Sequence, residues 1–222
     1  EFKKVCATWH AKIQAGNKKD FLIGGCIRIP RNKNILTEWG ILDNEKDLKK
    51  YVDNGALADG EVELYCKCSF SATVLDPSLQ KEEINTEKNG FHAISDLKLK
   101  DLDPSVPILI WFHGGGLILG NASNDSFLKH TQSLIQLQKE YMQSKHPDYN
   151  DTPKLIILSV DYRLAPENPF PSGIVDSLSV ASHVFESFPL SSIHIGGVSA
   201  GGNIATIVSL ECCRRYPNRT KR

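Results

Sequence analysis

The sequence predicts an α/β fold in which a mostly parallel sheet is covered by helices on both faces. Three short apolar runs after residue 105 are typical of strands, namely VPILIWF, KLIILSV and SIHIGGV. An apolar run without alternation is typical of a strand that is buried on both faces. Helical patterns of apolar residues separate and follow these runs, and strands that alternate with helices indicate a parallel sheet.

The residues before this region give weaker patterns. Residues 20–30 and 61–75 are rich in β-forming residues and end at turn residues, which predicts two strands. The polar stretch between them predicts a surface insertion with one short helix near residues 47–52.

Three longer helices are predicted in the second half of the chain. The first begins after a cap at Asn124 or Asp125, and Pro217 ends the third. Their apolar faces contain, in chain order, Phe127, Thr131, Leu134 and Ile135; Ile174, Leu178, Ala181, Phe185 and Phe188; and Ile204, Ile207 and Val208.

Composition excludes several classes of protein. The 222 residues contain 26 Lys plus Arg and 26 Asp plus Glu, so the charge balance gives no reason to expect nucleic acid or an anionic membrane as partner. The apolar run at residues 106–112 is too short to cross a bilayer. The six cysteines lack the spacing of a zinc site and are interpreted mostly as free thiols. No metal or organic cofactor is implied.

Ser199 is the candidate nucleophile. The segment Gly197-Val198-Ser199-Ala200-Gly201 fits the pattern Gly-x-Ser-x-Gly, in which a sharp strand-to-helix turn exposes the serine hydroxyl above a sheet. Glycines on either side let neighbouring backbone approach without a side-chain clash. A glycine-rich turn with an incidental serine is the simpler alternative, but here both the preceding strand and the following helix are predicted.

The run His113-Gly114-Gly115-Gly116 directly follows another predicted strand. Glycines at a strand end free backbone N–H groups to point at a ligand oxygen, as an oxyanion hole requires. A flexible turn or a phosphate-binding loop would also fit, although no Gly-Lys-Ser/Thr follows.

The segment DYRLAPENPFP, residues 161–171, follows the middle strand. Asp161, Arg163 and Glu167 are predicted to form a charged, hydrogen-bonded cluster that fixes this loop. Their predicted role is structural.

The order of the motifs HGGG, DYRLAPE and GVSAGGN resembles the hormone-sensitive-lipase-like branch of the α/β-hydrolase superfamily. The resemblance covers residues 106–215, about half the chain, and implies an α/β-hydrolase fold. It implies that Ser199 is the nucleophile and that the backbone N–H groups of Gly115, Gly116 and Ala200 form the oxyanion hole. His113 and Gly114 would support that loop. Two positions depart from the family pattern: Val198, where an acid is frequent, and Leu117, where an aromatic residue is frequent.

The family's other catalytic residues are not found after the serine. In α/β-hydrolases an Asp or Glu and then a His follow the nucleophile. The residues after Ser199 contain neither Asp nor His, and Glu211 lies on the helix that leaves the turn. His183 and His194 precede the serine and are interpreted as packing or surface residues. The sequence therefore predicts an N-terminal part of a longer enzyme, with the triad acid and histidine beyond residue 222 and the last strands of the sheet missing.

Within one domain overall, residues 1–105 are predicted to form N-terminal strands and a cap-like insertion region. Residues 106–222 are predicted to form the N-terminal part of the catalytic core. The strand before Ser199 would then lie at an exposed sheet edge.

The predicted function is that of a serine carboxylic-ester hydrolase acting through an acyl-enzyme on small-molecule esters. Two alternatives use the same fold. One is a small-ligand receptor, since plant gibberellin receptors resemble this family and keep the serine without the catalytic histidine. The other is an interaction protein whose partner, a second copy or a missing C-terminal segment, covers the sheet edge.

Overall fold

The described strands form one mixed sheet. The computed structural model of the chain describes residues 22–69, 85–87, 91–93, 98–122, 137, 139–148 and 155–219. Its described strands are β1 (Leu22–Pro30), β2 (Glu61–Ser69), β3 (Asn85–Glu87), β4 (Phe91–Ala93), β5 (Ile108–Phe112), β6 (Leu155–Asp161) and β7 (Ile193–Gly197). They lie side by side in the order β3-β4-β1-β2-β6-β5-β7.

Five α-helical segments are described around this sheet. They are α1 (Ile35–Glu38), α2 (Glu45–Asp53), α3 (residues 139–145), α4 (Ser172–Ser187) and α5 (Ala200–Arg215), and a 3₁₀ turn covers Leu99–Asp101. The predicted short insertion helix is therefore present as α2, where the Asn44 side chain accepts the N–H of Asp47 as an N-cap. The predicted start of the helix after Asn124 or Asp125 lies outside the described residues.

The sheet is parallel only in part. Strand β5 pairs in parallel with β6 and with β7, as the alternation of strands and helices predicts. Strand β2, however, runs antiparallel to both β1 and β6. No regular alternation of strand and helix precedes residue 106, so the sequence pattern that indicates parallel pairing is missing there. The predicted α/β fold is confirmed, with a mixed sheet.

The core lies between this sheet and the two long helices. Ile108, Ile110 and Phe112 of β5 are fully buried, and the five central residues of β6 are buried, which confirms a strand covered on both faces. Each such side chain contributes about 1.5–3 kcal/mol through removal of its surface from water. Helix α4 buries its predicted face, but α5 leaves Ile207 exposed, which corrects the predicted face of that helix.

Strand β7 stands at the end of the described strand order, as the sequence analysis predicted for the strand before Ser199. It pairs with β5 on one side, and His194 is exposed on it. The predicted division near residue 105 stays a prediction, although β1 and β2 from before that point join the same sheet as β5–β7. Within the described residues, no helix is long and apolar enough to cross a membrane.

The described cysteines include two adjacent thiols with different surroundings. Cys26, Cys66, Cys212 and Cys213 are free thiols, as predicted for most cysteines of the chain. Cys212 packs in the core under α5, whereas Cys213 is exposed. Burial raises the pKa of the Cys212 thiol to about 12.

We expect iodoacetamide at pH 8 to alkylate Cys213 and not Cys212 in the folded protein. The thiolate is the reactive form, and a pKa raised to about 12 leaves Cys212 protonated until the pH approaches that value. Peptide mass spectrometry would locate the label, and unfolding in urea should let both thiols react. Equal labelling of the two residues in the folded protein would contradict the packing of α5.

Candidate active site

Ser199 occupies the turn between β7 and α5. Its backbone has φ +54° and ψ −120°, a conformation that non-glycine residues rarely adopt. Such strain persists only where the surrounding structure enforces it, and it concentrates at functional sites. The residue is exposed, and α5 begins directly after it at Ala200. The structure thus places the predicted nucleophile on a strained strand-to-helix turn.

The two glycines that flank this turn are required by close packing. A Cβ atom on Gly201 would overlap the carbonyl oxygens of Phe112 and His113 at the end of β5. A Cβ atom on Gly197 would overlap the carbonyl oxygen of Gly201. Glycine at both positions therefore lets α5 start directly against the carboxyl end of β5.

The glycine run forms a tight loop after β5, here called the oxyanion loop (residues 113–120). Gly115 has φ +122°, Gly116 has φ +66° and Leu117 has φ +64°. The N–H groups of Ile118 and Leu119 both donate to the Gly115 carbonyl, at 3.2 and 2.9 Å. A Cβ atom on Gly115 would overlap the Leu119 carbonyl, so only glycine permits this turn.

The oxyanion loop and the serine turn lie against each other. A Cβ atom on Gly114 would lie 3.0 Å from the Val198 carbonyl oxygen and 3.4 Å from the Ser199 Cβ. In the first turn of α5, the N–H groups of Gly202 and Asn203 both donate to the Ser199 carbonyl. The N–H of Ala200 lies at the positive end of the helix dipole and donates to no described backbone carbonyl.

Three N–H groups are therefore available beside the serine. Within the described part of the chain, no acceptor takes the N–H of Gly115, Gly116 or Ala200. Unpaired donors at a loop and at a helix N-terminus can hold an oxygen that gains negative charge.

The buried side chain of His113 hydrogen-bonds to the backbone of the oxyanion loop. Its side chain is 2% exposed, and its Nδ1 lies 2.7 Å from the Gly114 carbonyl oxygen, so Nδ1 carries the proton and donates it. The ring of Tyr162 stacks on the imidazole at 4.3 Å, and the Tyr162 hydroxyl donates to the His113 carbonyl at 2.7 Å. This arrangement fits a supporting role for His113, and no described hydrogen bond joins its ring to Ser199.

The residue after the glycine run is held by the same segment that supplies Tyr162. The N–H of Ala165 donates to the carbonyl oxygen of Leu117 at 2.9 Å. Residues 162–165 thus contact the oxyanion loop on both sides of its three glycines.

The charged contacts of that segment differ from those predicted. Arg163 pairs with Asp176 of α4, with Nε 3.0 Å from Oδ2, and its other nitrogens donate to the carbonyls of Gly55 and Ala56. Asp161 instead accepts the N–H of Ala122 at 2.8 Å. The predicted Asp161–Arg163–Glu167 cluster was wrong because the partner of Arg163 lies on a helix, thirteen residues further along the chain.

No described histidine hydrogen-bonds to Ser199. His183 lies within α4, with Nδ1 2.9 Å from the Ser179 carbonyl, and His194 is exposed on β7. Glu211 pairs with Arg214 at 2.6 Å on α5. The residues that the structure describes therefore supply a serine and unpaired backbone N–H groups, but no acid and base next to the serine.

A small cavity of about 70 Å³ lies behind the oxyanion loop. Leu117, Ala165 and Phe170 are among its lining residues, and Ser199 is not. It is a gap between the loop and residues 163–174, away from the serine hydroxyl. In the described residues, no group of three His, Cys, Asp or Glu side chains is placed to hold a metal ion.

Comparison with known proteins finds a family match in the second half of the chain. Residues 148–220 match a family model described as alpha/beta hydrolase fold. This part of the chain is therefore similar to α/β-hydrolases. The matched segment contains β6, the loop with Tyr162 and Arg163, and the Ser199 turn with α5.

Several curated relatives of this chain are named as esterases. It is 36% identical to an AB hydrolase superfamily protein of Schizosaccharomyces pombe over 46% of this chain and 27% of that protein. It is 35% identical to the versiconal hemiacetal acetate esterase of Emericella nidulans, over 47% of this chain and 30% of that protein. It is 29% identical to carboxylesterase NlhH of Mycobacterium tuberculosis, over 60% of this chain and 39% of that protein. The aligned part thus spans less than half the length of these relatives.

Among solved structures, a bacterial heroin esterase aligns with 96% of this chain and 46% of that chain, at 19% identity and a TM-score of 0.45.

We expect Gly201→Ala to destabilise the folded protein and Gly202→Ala to leave its stability nearly unchanged. The first methyl group would overlap two carbonyl oxygens, and such overpacking costs about 1–3 kcal/mol. The second would lie 3.5 Å from the Gly197 carbonyl oxygen, an ordinary contact, within a helix that favours alanine. Urea unfolding of the two variants would compare their free energies of unfolding. Equal stability would contradict the close approach of α5 to β5.

Proposed function

We propose that the whole protein is a serine carboxylic-ester hydrolase with Ser199 as its nucleophile. The observation that carries this proposal is the strained turn at Ser199, which presents a serine beside three unpaired backbone N–H groups. The resemblance of its motifs to hormone-sensitive-lipase-like enzymes and the esterase names of its curated relatives support the same conclusion.

In the proposed reaction the Ser199 Oγ attacks the carbonyl carbon of the ester while a base removes the hydroxyl proton. The carbonyl oxygen becomes an oxyanion and is held by the N–H groups of Gly115, Gly116 and Ala200. The tetrahedral intermediate then collapses, and the alcohol leaves with the proton returned by the base. Water attacks the acyl-enzyme by the same route and releases the carboxylic acid, which regenerates the Ser199 hydroxyl.

We propose that a histidine base and its carboxylate partner come from residues beyond 222. This follows the chain order of the family, serine, then acid, then histidine. His113 is committed to the Gly114 carbonyl and to Tyr162, so it supports the loop instead of completing the triad.

The proposed substrates are small neutral esters. Leu117, Ile118 and Val198 flank the serine and the oxyanion loop with exposed apolar side chains. An uncharged, apolar approach to the reacting carbonyl suits an ester that has no phosphate or carboxylate next to the scissile bond. The mechanism uses no metal or organic cofactor, and no nucleic acid is proposed as partner.

We expect Ser199→Ala to abolish ester hydrolysis by the native full-length protein, because Ser199 is the group proposed to form the acyl-enzyme. Loss of the nucleophile in serine hydrolases lowers kcat by about 10⁴–10⁶-fold. The measurements are a burst of p-nitrophenol from p-nitrophenyl acetate and the mass of a phosphonate adduct on the Ser199 peptide.

The matched control is Ser192→Ala, an exposed serine just before β7 that takes no part in the site. It should keep the burst and the adduct. Activity that persists in Ser199→Ala would refute the assignment. A wild-type protein that binds ester analogues without hydrolysing them would instead favour the ligand receptor.

A further inference from the structure

We propose that Asp176 is a positioning residue for the oxyanion loop, acting through residues 162–165; this inference rests on the proposed function. Asp176 lies on α4, is 1% exposed and was not singled out by the sequence. Nothing in its own position contacts the Ser199 turn, so any effect on the reaction must pass through other residues.

The first step that links Asp176 to the oxyanion loop is its set of hydrogen bonds to Arg163. One carboxylate oxygen accepts the backbone N–H of Arg163 at 2.9 Å and its Nε at 3.0 Å. The other oxygen accepts the same Nε at 3.1 Å and the Nε of Arg31 at 2.6 Å. The carboxylate therefore fixes both the backbone and the side chain of one loop residue, with charge-assisted bonds.

The same carboxylate also binds a second arginine, Arg31. Arg31 donates in addition to the carbonyl oxygens of Ala58, Asp59 and Glu61, at the start of β2. Arg31 thus shares the carboxylate with Arg163 but has no hydrogen bond to the oxyanion loop or to the segment that holds it.

The second step is the contact between Arg163's neighbours and the oxyanion loop. Tyr162 donates its hydroxyl to the His113 carbonyl, and Ala165 donates its N–H to the Leu117 carbonyl. These two bonds hold the residues on either side of the three glycines. The positions of Tyr162 and Ala165 depend on the backbone of Arg163, which Asp176 fixes.

The third step is the weak packing around Gly116. A Cβ atom on Gly116 would meet nothing within 4 Å, whereas the Gly115 carbonyl is held by the N–H groups of Ile118 and Leu119. Gly116 has no side chain with which to pack, so we infer that the direction of its N–H depends on the residues that flank the glycine run. A shift of the 162–165 segment would therefore misdirect the proposed oxyanion donors.

The test is the kinetics of Asp176→Asn in the native full-length protein. This change keeps the side-chain shape and removes the charge that holds Arg163. We expect kcat for p-nitrophenyl acetate to fall about 10–100-fold, the range for a misplaced or weakened oxyanion donor, while KM stays within about twofold. A loss confined to kcat marks an interaction made in the transition state.

A second readout separates positioning from general damage. In the matching thionoester a sulfur atom replaces the carbonyl oxygen, and sulfur is a weak hydrogen-bond acceptor. The ratio of kcat for the ester to kcat for the thionoester should therefore fall in Asp176→Asn. A purely structural role would lower the stability of the fold but leave that ratio unchanged.

Two further variants complete the experiment. Arg31→Gln removes the other partner of the same carboxylate and should lower the urea midpoint while kcat and the ratio stay at wild-type values. Tyr162→Phe removes only the hydroxyl that holds the His113 carbonyl, and it should lower kcat and the ratio like Asp176→Asn. If Asp176→Asn does not fold, Tyr162→Phe decides the result.

The proposal is overturned if folded Asp176→Asn, or Tyr162→Phe in its place, keeps wild-type kcat and ester-to-thionoester ratio. It is also overturned if Arg31→Gln lowers the ratio equally, since the effect would then be that of a damaged fold. Failure of the proposed function has a different signature. In that case wild-type protein gives no phosphonate adduct on Ser199, whatever the behaviour of Asp176→Asn. The role proposed for Asp176 is then refuted together with the proposed function.

Discussion

The close approach of α5 to the carboxyl end of β5 is the constraint on which the candidate site depends. It is possible only because Gly197 and Gly201 lack side chains. The approach forces Ser199, the second of the two residues between β7 and α5, into a backbone conformation with positive φ. It also brings the first N–H of α5 beside the loop that leaves β5. One packing contact therefore determines both the exposure of the serine and the position of the donors around it.

A second layer of contacts supports this arrangement from the adjacent strand. Strand β6 lies next to β5, and the segment after β6 contacts the oxyanion loop at His113 and Leu117. The parallel pairing of the two strands makes this possible, because it brings both carboxyl ends to the same edge of the sheet. The functional loops of an α/β sheet meet at this edge for the same reason.

Local pattern explains which parts of the structure the sequence predicts. Strands β5, β6 and β7 are continuous apolar runs, and helix α4 carries an apolar face from Ile174 to Phe188, so their type and order follow from short-range patterns. The serine turn is equally local, since five consecutive residues define it. The direction in which strands pair does not follow from local pattern. The antiparallel contact of β2 with β6 joins residues that are far apart in the chain, and neither segment carries a sequence pattern that predicts it.

The same limit applies to the candidate site. Ser199 and the glycines of the oxyanion loop are identifiable because their motifs are contiguous, although their roles stay predictions. Asp176 is not identifiable, because its partners Arg31 and Arg163 lie 145 and 13 residues away in the chain. An aspartate in an apolar helix face is the one signal that could have revealed it, since a carboxylate is buried only where it is paired.

The glycines of the oxyanion loop also have a thermodynamic consequence. In the unfolded chain, Gly114, Gly115 and Gly116 sample more backbone conformations than any other residue type, so their ordering carries a large loss of entropy. That loss occurs once, when the protein folds around His113 and Leu117. In the proposed reaction, each substrate would then meet N–H groups whose orientation is already restricted by the fold.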